Sequence, residues 1–172
     1  AAVNLITTGV IEKYPNINWI LAHAGGFLPY VAWRVSLCNL MPELAEKTPQ
    51  GFLHYIQRFY YDTALSPSPY AMAALKQLVD PSHILFGSDF PFAPKQLSIL
   101  QKQNLDELTI FSDEEKLNLL RPNALVLFPH LRVSEDQNIP ELQKYSTASM
   151  GTQFKRSIAR PILYMAEKMR KR

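Results

Sequence analysis

Short, densely apolar runs alternate along this chain with longer stretches in which apolar residues recur every three or four positions. The first pattern reads as buried strand and the second as amphipathic helix. Val3, Ile6, Val10 and Ile11 share one helical face over 3–13, and Tyr14-Pro15-Asn16 ends it. Residues 17–23 read as a strand, with Ile17, Trp19, Ile20, Leu21 and Ala22 apolar on both faces, as a parallel sheet requires. A helical region over 27–46, disturbed near Pro42, and a helical patch over 51–57 lead to a second strand, Arg58-Phe59-Tyr60-Tyr61-Asp62-Thr63.

Pro67 and Pro69 open a helix over 69–79, where a missing N–H in the first turn costs little. Residues 83–88 read as a third strand and 94–103 as helix. Ser112, with Glu115 three positions on, forms a capping box for a helix running to Phe128.

Strands spaced by helices imply a parallel sheet with right-handed crossovers, so the fold class is α/β. Three strands do not close a barrel, which needs eight, and an open sheet this small leaves two apolar edges unpaired. The alternation suits a small doubly wound domain or the final portion of a TIM barrel. The chain starts without methionine on a helical segment, and we expect it to be part of something longer.

The pattern fails after residue 131. Residues 132–152 are polar and rich in Ser, Thr, Gln and Asn, which reads as a linker. Over 153–172, Phe154, Ile158, Ile162, Met165 and Met169 form one apolar stripe on a basic helix that Pro161 bends. That tail changes the meaning of the net charge of +3. It holds seven basic residues against one acidic, while residues 1–152 hold eleven against fourteen. The body is mildly acidic, which argues against a nucleic-acid-binding surface. The tail could pack on its own barrel or a partner, or touch an anionic membrane surface.

A hydrophobic content of 47% with 19% charged residues fits a soluble globular protein, and no apolar run approaches the roughly 20 residues that span a bilayer. No signal peptide is evident. Cys38 is the single cysteine, so no internal disulfide can form. That fits a reducing cytoplasm, with Cys38 a buried small hydrophobe on a helix.

Two strands end on an ionisable residue and then break into Gly or Pro: Leu21-Ala22-His23-Ala24-Gly25-Gly26 and Leu85-Phe86-Gly87-Ser88-Asp89-Phe90-Pro91. Barrel enzymes set catalytic groups at such C-terminal strand ends. His23 could ligate a metal or act as a general base. A carboxylate as deep as that of Asp89 calls for a metal or a cationic partner, or else serves as a turn residue before Pro91. Asp62 is as well explained by an Asx-type cap on its own loop as by binding. Arg34, on a mostly apolar helix, has the planar fork that suits a carboxylate, though a surface ion pair would also explain it. His54, His83 and His130 have surface or helix-end roles by default. No His-x-His occurs in the chain.

Four segments together resemble a known family: His23-Ala24-Gly25-Gly26-Phe27-Leu28-Pro29-Tyr30 with Arg34, Phe59-Tyr60-Tyr61-Asp62-Thr63-Ala64, Phe86-Gly87-Ser88-Asp89-Phe90-Pro91, and Asn123-Ala124 before Leu127-Phe128. Their order and spacing are similar to those of amidohydrolase-related proteins of the aminocarboxymuconate-semialdehyde decarboxylase type, which includes decarboxylases of 6-methylsalicylate and γ-resorcylate. The resemblance covers about residues 1–131. It implies the C-terminal portion of a metal-dependent TIM barrel, an incomplete barrel of three strands with flanking helices.

It also implies one divalent metal, zinc or manganese, with Asp89 as a ligand. His23 would be the acid–base group beside the metal. Arg34 would bind a small-molecule carboxylate, near the subunit interface of a homo-oligomer, a dimer. The remaining ligands of the family come from strands upstream of this sequence. The expected function is a metal-dependent decarboxylase or hydrolase acting on a carboxylated ring. The alternative is a non-catalytic module that pairs with another chain.

Overall fold

The structure, a computed structural model, describes residues 1–132. The expected linker and the expected basic amphipathic helix fall on residues 133–172, outside the described residues. Three parallel strands form one sheet in the order β1-β2-β3: β1 is Ile20–Leu21, β2 is Tyr60–Asp62 and β3 is Ile84–Leu85. Ile20 and Leu21 pair with Tyr60 and Tyr61, and Tyr61 and Asp62 pair with Ile84 and Leu85. The central strand therefore sets the register of both neighbours. Being parallel, all three strands deliver their last residues to the same edge of the sheet.

The strands are shorter than their apolar runs. The most direct difference is at β1, which starts only at Ile20 and pairs on one side only among the described residues; Ile17, before the strand, and Ile20 are 46% and 40% exposed rather than buried.

The helices form where the apolar periodicity places them, but several break. The stretch over 3–13 is two helices, α1 (Ala2–Thr7) and α2 (Val10–Lys13). The stretch over 27–46 is α3 (Leu28–Ser36), a 3-10 segment over Leu37–Leu40, and α4 (Pro42–Ala45). Pro42 starts the last of these instead of bending one long helix, since proline fits a first turn and not an interior. Next come α5 (Phe52–Arg58), α6 (Pro69–Leu78) and α7 (Lys95–Glu107).

The Ser68 side chain caps α6 by accepting from Ala71 N–H, with Pro69 in the first turn. The capping box of Ser112 and Glu115 forms as expected and starts α8 (Asp113–Leu120). The single helix expected to run on to Phe128 is broken at Arg121, whose φ of −153° is not helical, and α9 (Pro122–Leu127) restarts at Pro122. Cys38 is half-buried on the 3-10 segment, at the margin of the core rather than in it.

The core lies between β2 and its helices. Tyr55, Tyr61, Phe52, Phe59, Met72 and Leu75 are fully buried. Tyr61 donates from its hydroxyl to the Ile56 carbonyl at 2.8 Å, and burial pushes its phenol pKa well above the usual range. Asn123 on α9 reaches beneath β3 and donates to the carbonyls of Pro81 and Ile84, both at 2.8 Å. Among the described residues no helix is long and apolar enough to cross a membrane.

Candidate active site

The chain leaving β1 turns at once. His23 and Ala24 both have left-handed backbone, with φ of +56° and +55°. Gly25 follows with φ +74°, and a Cβ there would come within 2.8 Å of the buried Tyr61 ring. Only glycine lets this turn lie against β2. The His23 side chain is exposed at the sheet edge, and its Nδ1 lies 3.0 Å from the Ala64 carbonyl. A carbonyl can only accept, so Nδ1 carries a hydrogen, and in the neutral ring Nε2 is then the nitrogen with the lone pair. Nε2 has no hydrogen-bond partner among the described residues.

Asp62, the last residue of β2, holds this turn. Its Oδ1 accepts from the main-chain N–H of His23 at 2.8 Å and of Ala64 at 3.0 Å. The second bond is the Asx-type cap; the first reaches across to β1, a contact 39 residues away that no local pattern reveals. Thr63, fully buried, ties β2 to β3: its hydroxyl accepts from Gly87 N–H at 3.2 Å and lies 3.3 Å from the Gly87 carbonyl.

Asp89 is half-buried, three residues beyond Phe86, where β3 has already given way to irregular chain. Its backbone is also left-handed, φ +59°, and its carbonyl accepts from Ala93 N–H at 2.7 Å. Its carboxylate has neither a hydrogen-bond nor an ion-pair partner among the described residues. Gln101, buried on α7, fixes the approach to it. The side-chain amide donates to the Ser88 carbonyl at 3.1 Å, and its oxygen accepts from Leu65 N–H at 2.6 Å.

The strand ends bearing His23 and Asp89 are thus brought to one edge and laced through Asp62, Thr63 and Gln101, with no direct bond between the two side chains. Arg34 stands apart: it is exposed on α3, and no hydrogen bond or ion pair joins it to either residue. Three aromatic side chains follow the same strand ends and face solvent, Phe27 at 77%, Phe90 at 65% and Phe92 at 91% exposure. Among the described residues no group of three or more His, Cys, Asp or Glu could hold a metal ion.

His83 ends the 3-10 segment Pro81–His83, the helix-end place expected of it. Its ring stacks on Tyr60 at 4.4 Å, and Nδ1 lies 3.1 Å from the Phe59 carbonyl. His54 and His130 are exposed, as expected. Gln101 escaped the sequence reading because a glutamine on a polar helix carries no signal of its own. The one clue available was its place on the apolar side of α7, four positions before Leu105.

Comparison with known proteins supplies the context. A family model described as Amidohydrolase matches residues 1–130. The 6-methylsalicylic acid decarboxylase of Penicillium expansum is 39% identical over 133 residues, covering 77% of this chain and 41% of that protein. Decarboxylase macB of Penicillium terrestre is 36% identical, covering 80% of this chain and 41% of that protein. The crystal structure of a dihydroxybenzoic acid decarboxylase from Polaromonas sp. JS666, with bound manganese and the inhibitor 2-nitroresorcinol, superposes with a TM-score of 0.63 at 26% identity. That match covers 77% of this chain and 40% of the solved one. The chain therefore spans about two fifths of the length of these relatives.

Proposed function

We propose, from the premise that this chain belongs to the amidohydrolase family, that residues 1–130 are the downstream part of a barrel that decarboxylates an aromatic acid. The observation that carries the reading is the His23 ring, anchored at Nδ1 and open at Nε2, on the sheet edge that also presents the unpartnered Asp89 carboxylate. The names of the relatives favour decarboxylation over hydrolysis.

Decarboxylation breaks the bond between a ring carbon and its carboxyl group. The electron pair stays on the ring carbon, which must take a proton as CO2 leaves. Protonated His23 is the group suited to give that proton from Nε2. Arg34 is the candidate for a bidentate grip on a carboxylate, which its fork matches. Phe27, Phe90 and Phe92 offer aromatic surface beside the strand ends, which suits a flat apolar ring.

A divalent metal, zinc or manganese, would supply electrophilic stabilisation of the substrate when bound, and Asp89 is the residue that would hold it. The donor chemistry of Asp89 and His23 suits such an ion, but a catalytic centre takes three or more protein ligands and the described residues do not provide them. By themselves they do not fit a complete centre, and the part assigned to His23 is the proton transfer at this sheet edge.

The test is CO2 release from 6-methylsalicylate and 2,6-dihydroxybenzoate by the complete barrel that contains residues 1–130, with manganese supplied. Turnover that falls by about 10²–10⁴ in His23→Gln is the expected result. No release from either acid by the unaltered complete barrel, or undiminished release by its His23→Gln variant, would overturn the reading. A second reading, association with another chain, is favoured by the one-sided pairing of β1 and the exposure of Ile20 beside it. Analytical ultracentrifugation combined with the activity assay separates the two, because a non-catalytic associating module sediments as a complex and releases no CO2 from either acid.

A further inference from the structure

Asp62 touches His23 from two directions. Directly, its Oδ1 accepts from the His23 main-chain N–H at 2.8 Å. Indirectly, the same oxygen accepts from Ala64 N–H at 3.0 Å, and the carbonyl of Ala64 lies 3.0 Å from His23 Nδ1. One carboxylate oxygen thus fixes both the backbone of His23 and the acceptor that orients its ring.

The arrangement has a cost that needs offsetting. His23 and Ala24 are consecutive non-glycine residues at positive φ, a conformation that crowds Cβ against the following carbonyl and is unfavourable for any L-residue. A hydrogen bond from N–H to an ionised carboxylate is about twice as strong as a neutral one, which places the compensating interaction at the strained residue itself. The turn cannot relax toward the sheet, since Ala24 is buried and Gly25 lies on the Tyr61 ring. Nor can Asp62 drift toward β3, because Gly87 packs on its side chain.

We propose that Asp62 is the positioning residue of His23, holding the imidazole in the Nδ1–H tautomer so that Nε2 is the atom that gives and takes the proton at the mouth of the sheet. Its catalytic meaning rests on His23 being the acid–base group, but the tautomer is a property of the ring alone.

The ring can be read directly in the folded protein. With four histidines in the sequence, long-range ¹H–¹⁵N correlation of the imidazoles is resolvable, and His23→Gln identifies the signal. At a pH where the ring is neutral, His23 is expected as Nδ1–H. Asp62→Ala is expected to lose that form to a mixture of tautomers. Asp62→Asn, which keeps an oxygen at the Oδ1 position, is expected to retain it.

A ring found as Nε2–H in the unaltered protein would overturn the proposal. So would a folded Asp62→Ala that stays Nδ1–H, folding being judged from unchanged His54 and His130 signals. Loss of Nδ1–H in Asp62→Asn would do the same, and this holds even where Asp62→Ala does not fold. Failure of the decarboxylase assay leaves these outcomes untouched, so the two ideas fall separately.

Discussion

Gly87 lies directly against the carboxylate of Asp62. A Cβ on Gly87 would stand 3.0 Å from Asp62 Cβ, 3.1 Å from Cγ and 3.4 Å from Oδ2. Asp62 cannot give way freely, because its Oδ1 is committed to His23 and Ala64. Gly87→Ala is therefore expected to destabilise the fold by about 1–3 kcal/mol, the usual cost of overpacking a tight site. Urea unfolding checks it; an unchanged midpoint would mean that Asp62 moves more easily than its bonds imply.

Gln101 supports the other side of the same edge. Replacing it with Leu leaves the Leu65 N–H and the Ser88 carbonyl without partners, a loss of about 1–3 kcal/mol for each group when fully buried and less here, where both bonds are only part-buried. The expected loss is about 2–4 kcal/mol, together with faster hydrogen exchange at the Leu65 amide. Gln101→Glu keeps the bond to Leu65 but sets a carboxylate against the Ser88 carbonyl, and should also destabilise the fold at neutral pH.

Asn123 makes the corresponding test beneath the sheet. Its amide donates to the two carbonyls of Pro81 and Ile84, so Asn123→Ala should cost about 2–3 kcal/mol. Asn123→Asp is the sharper variant, since an ionised carboxylate donates nothing to two carbonyls. Its deficit should grow as pH rises above the carboxyl range and shrink when the group is protonated. Thermal melts across pH 3–8, compared with those of Asn123→Ala, show whether it does.

Glu115 gives a pH prediction of opposite sign. The Lys76 ammonium, 2.7 Å away, and the Ser112 N–H hold its carboxyl below the usual carboxylate range. A depressed pKa in the fold means that the stabilisation is fully present above the ordinary value of about 4.3 and is lost as pH falls through the folded value. Glu115→Gln preserves the capping-box geometry and removes the charge. It should be less stable than the unaltered protein by about 1 kcal/mol at pH 7, as expected for a partly exposed pair, and the difference should close in acid. A gap that persists at low pH would show that the charge is not its source.

Much of this architecture is legible along the chain, and its failures are local. The strand cores at Ile20–Leu21, Tyr60–Asp62 and Ile84–Leu85 fall inside apolar runs, and the caps at Ser68 and Ser112 stand where their residue types put them. The helix break at Leu37 does not announce itself, because an apolar stripe continues across it while the backbone turns, whereas the breaks before Val10 and at Arg121 coincide with Gly9 and Pro122, breakers that the continuing stripe obscured. His23 and Asp89 are visible as candidates because each ends an apolar run and meets a Gly or Pro nearby. Arg34 is visible too, yet nothing among the described residues bonds it to them.

What the sequence determined by itself is the class of the fold, the identity of the strand ends and the chemistry of the side chains they carry, since these depend on residue type and short-range periodicity. Only the tertiary structure decided that Asp62 holds His23 across 39 residues, that Gln101 joins the loops after β2 and β3, and that Gly87 must be small. Each of these is a contact between segments distant in the chain. Parallel pairing brings such segments together, and a local pattern has no means of encoding which partner a free hydrogen-bonding group will meet.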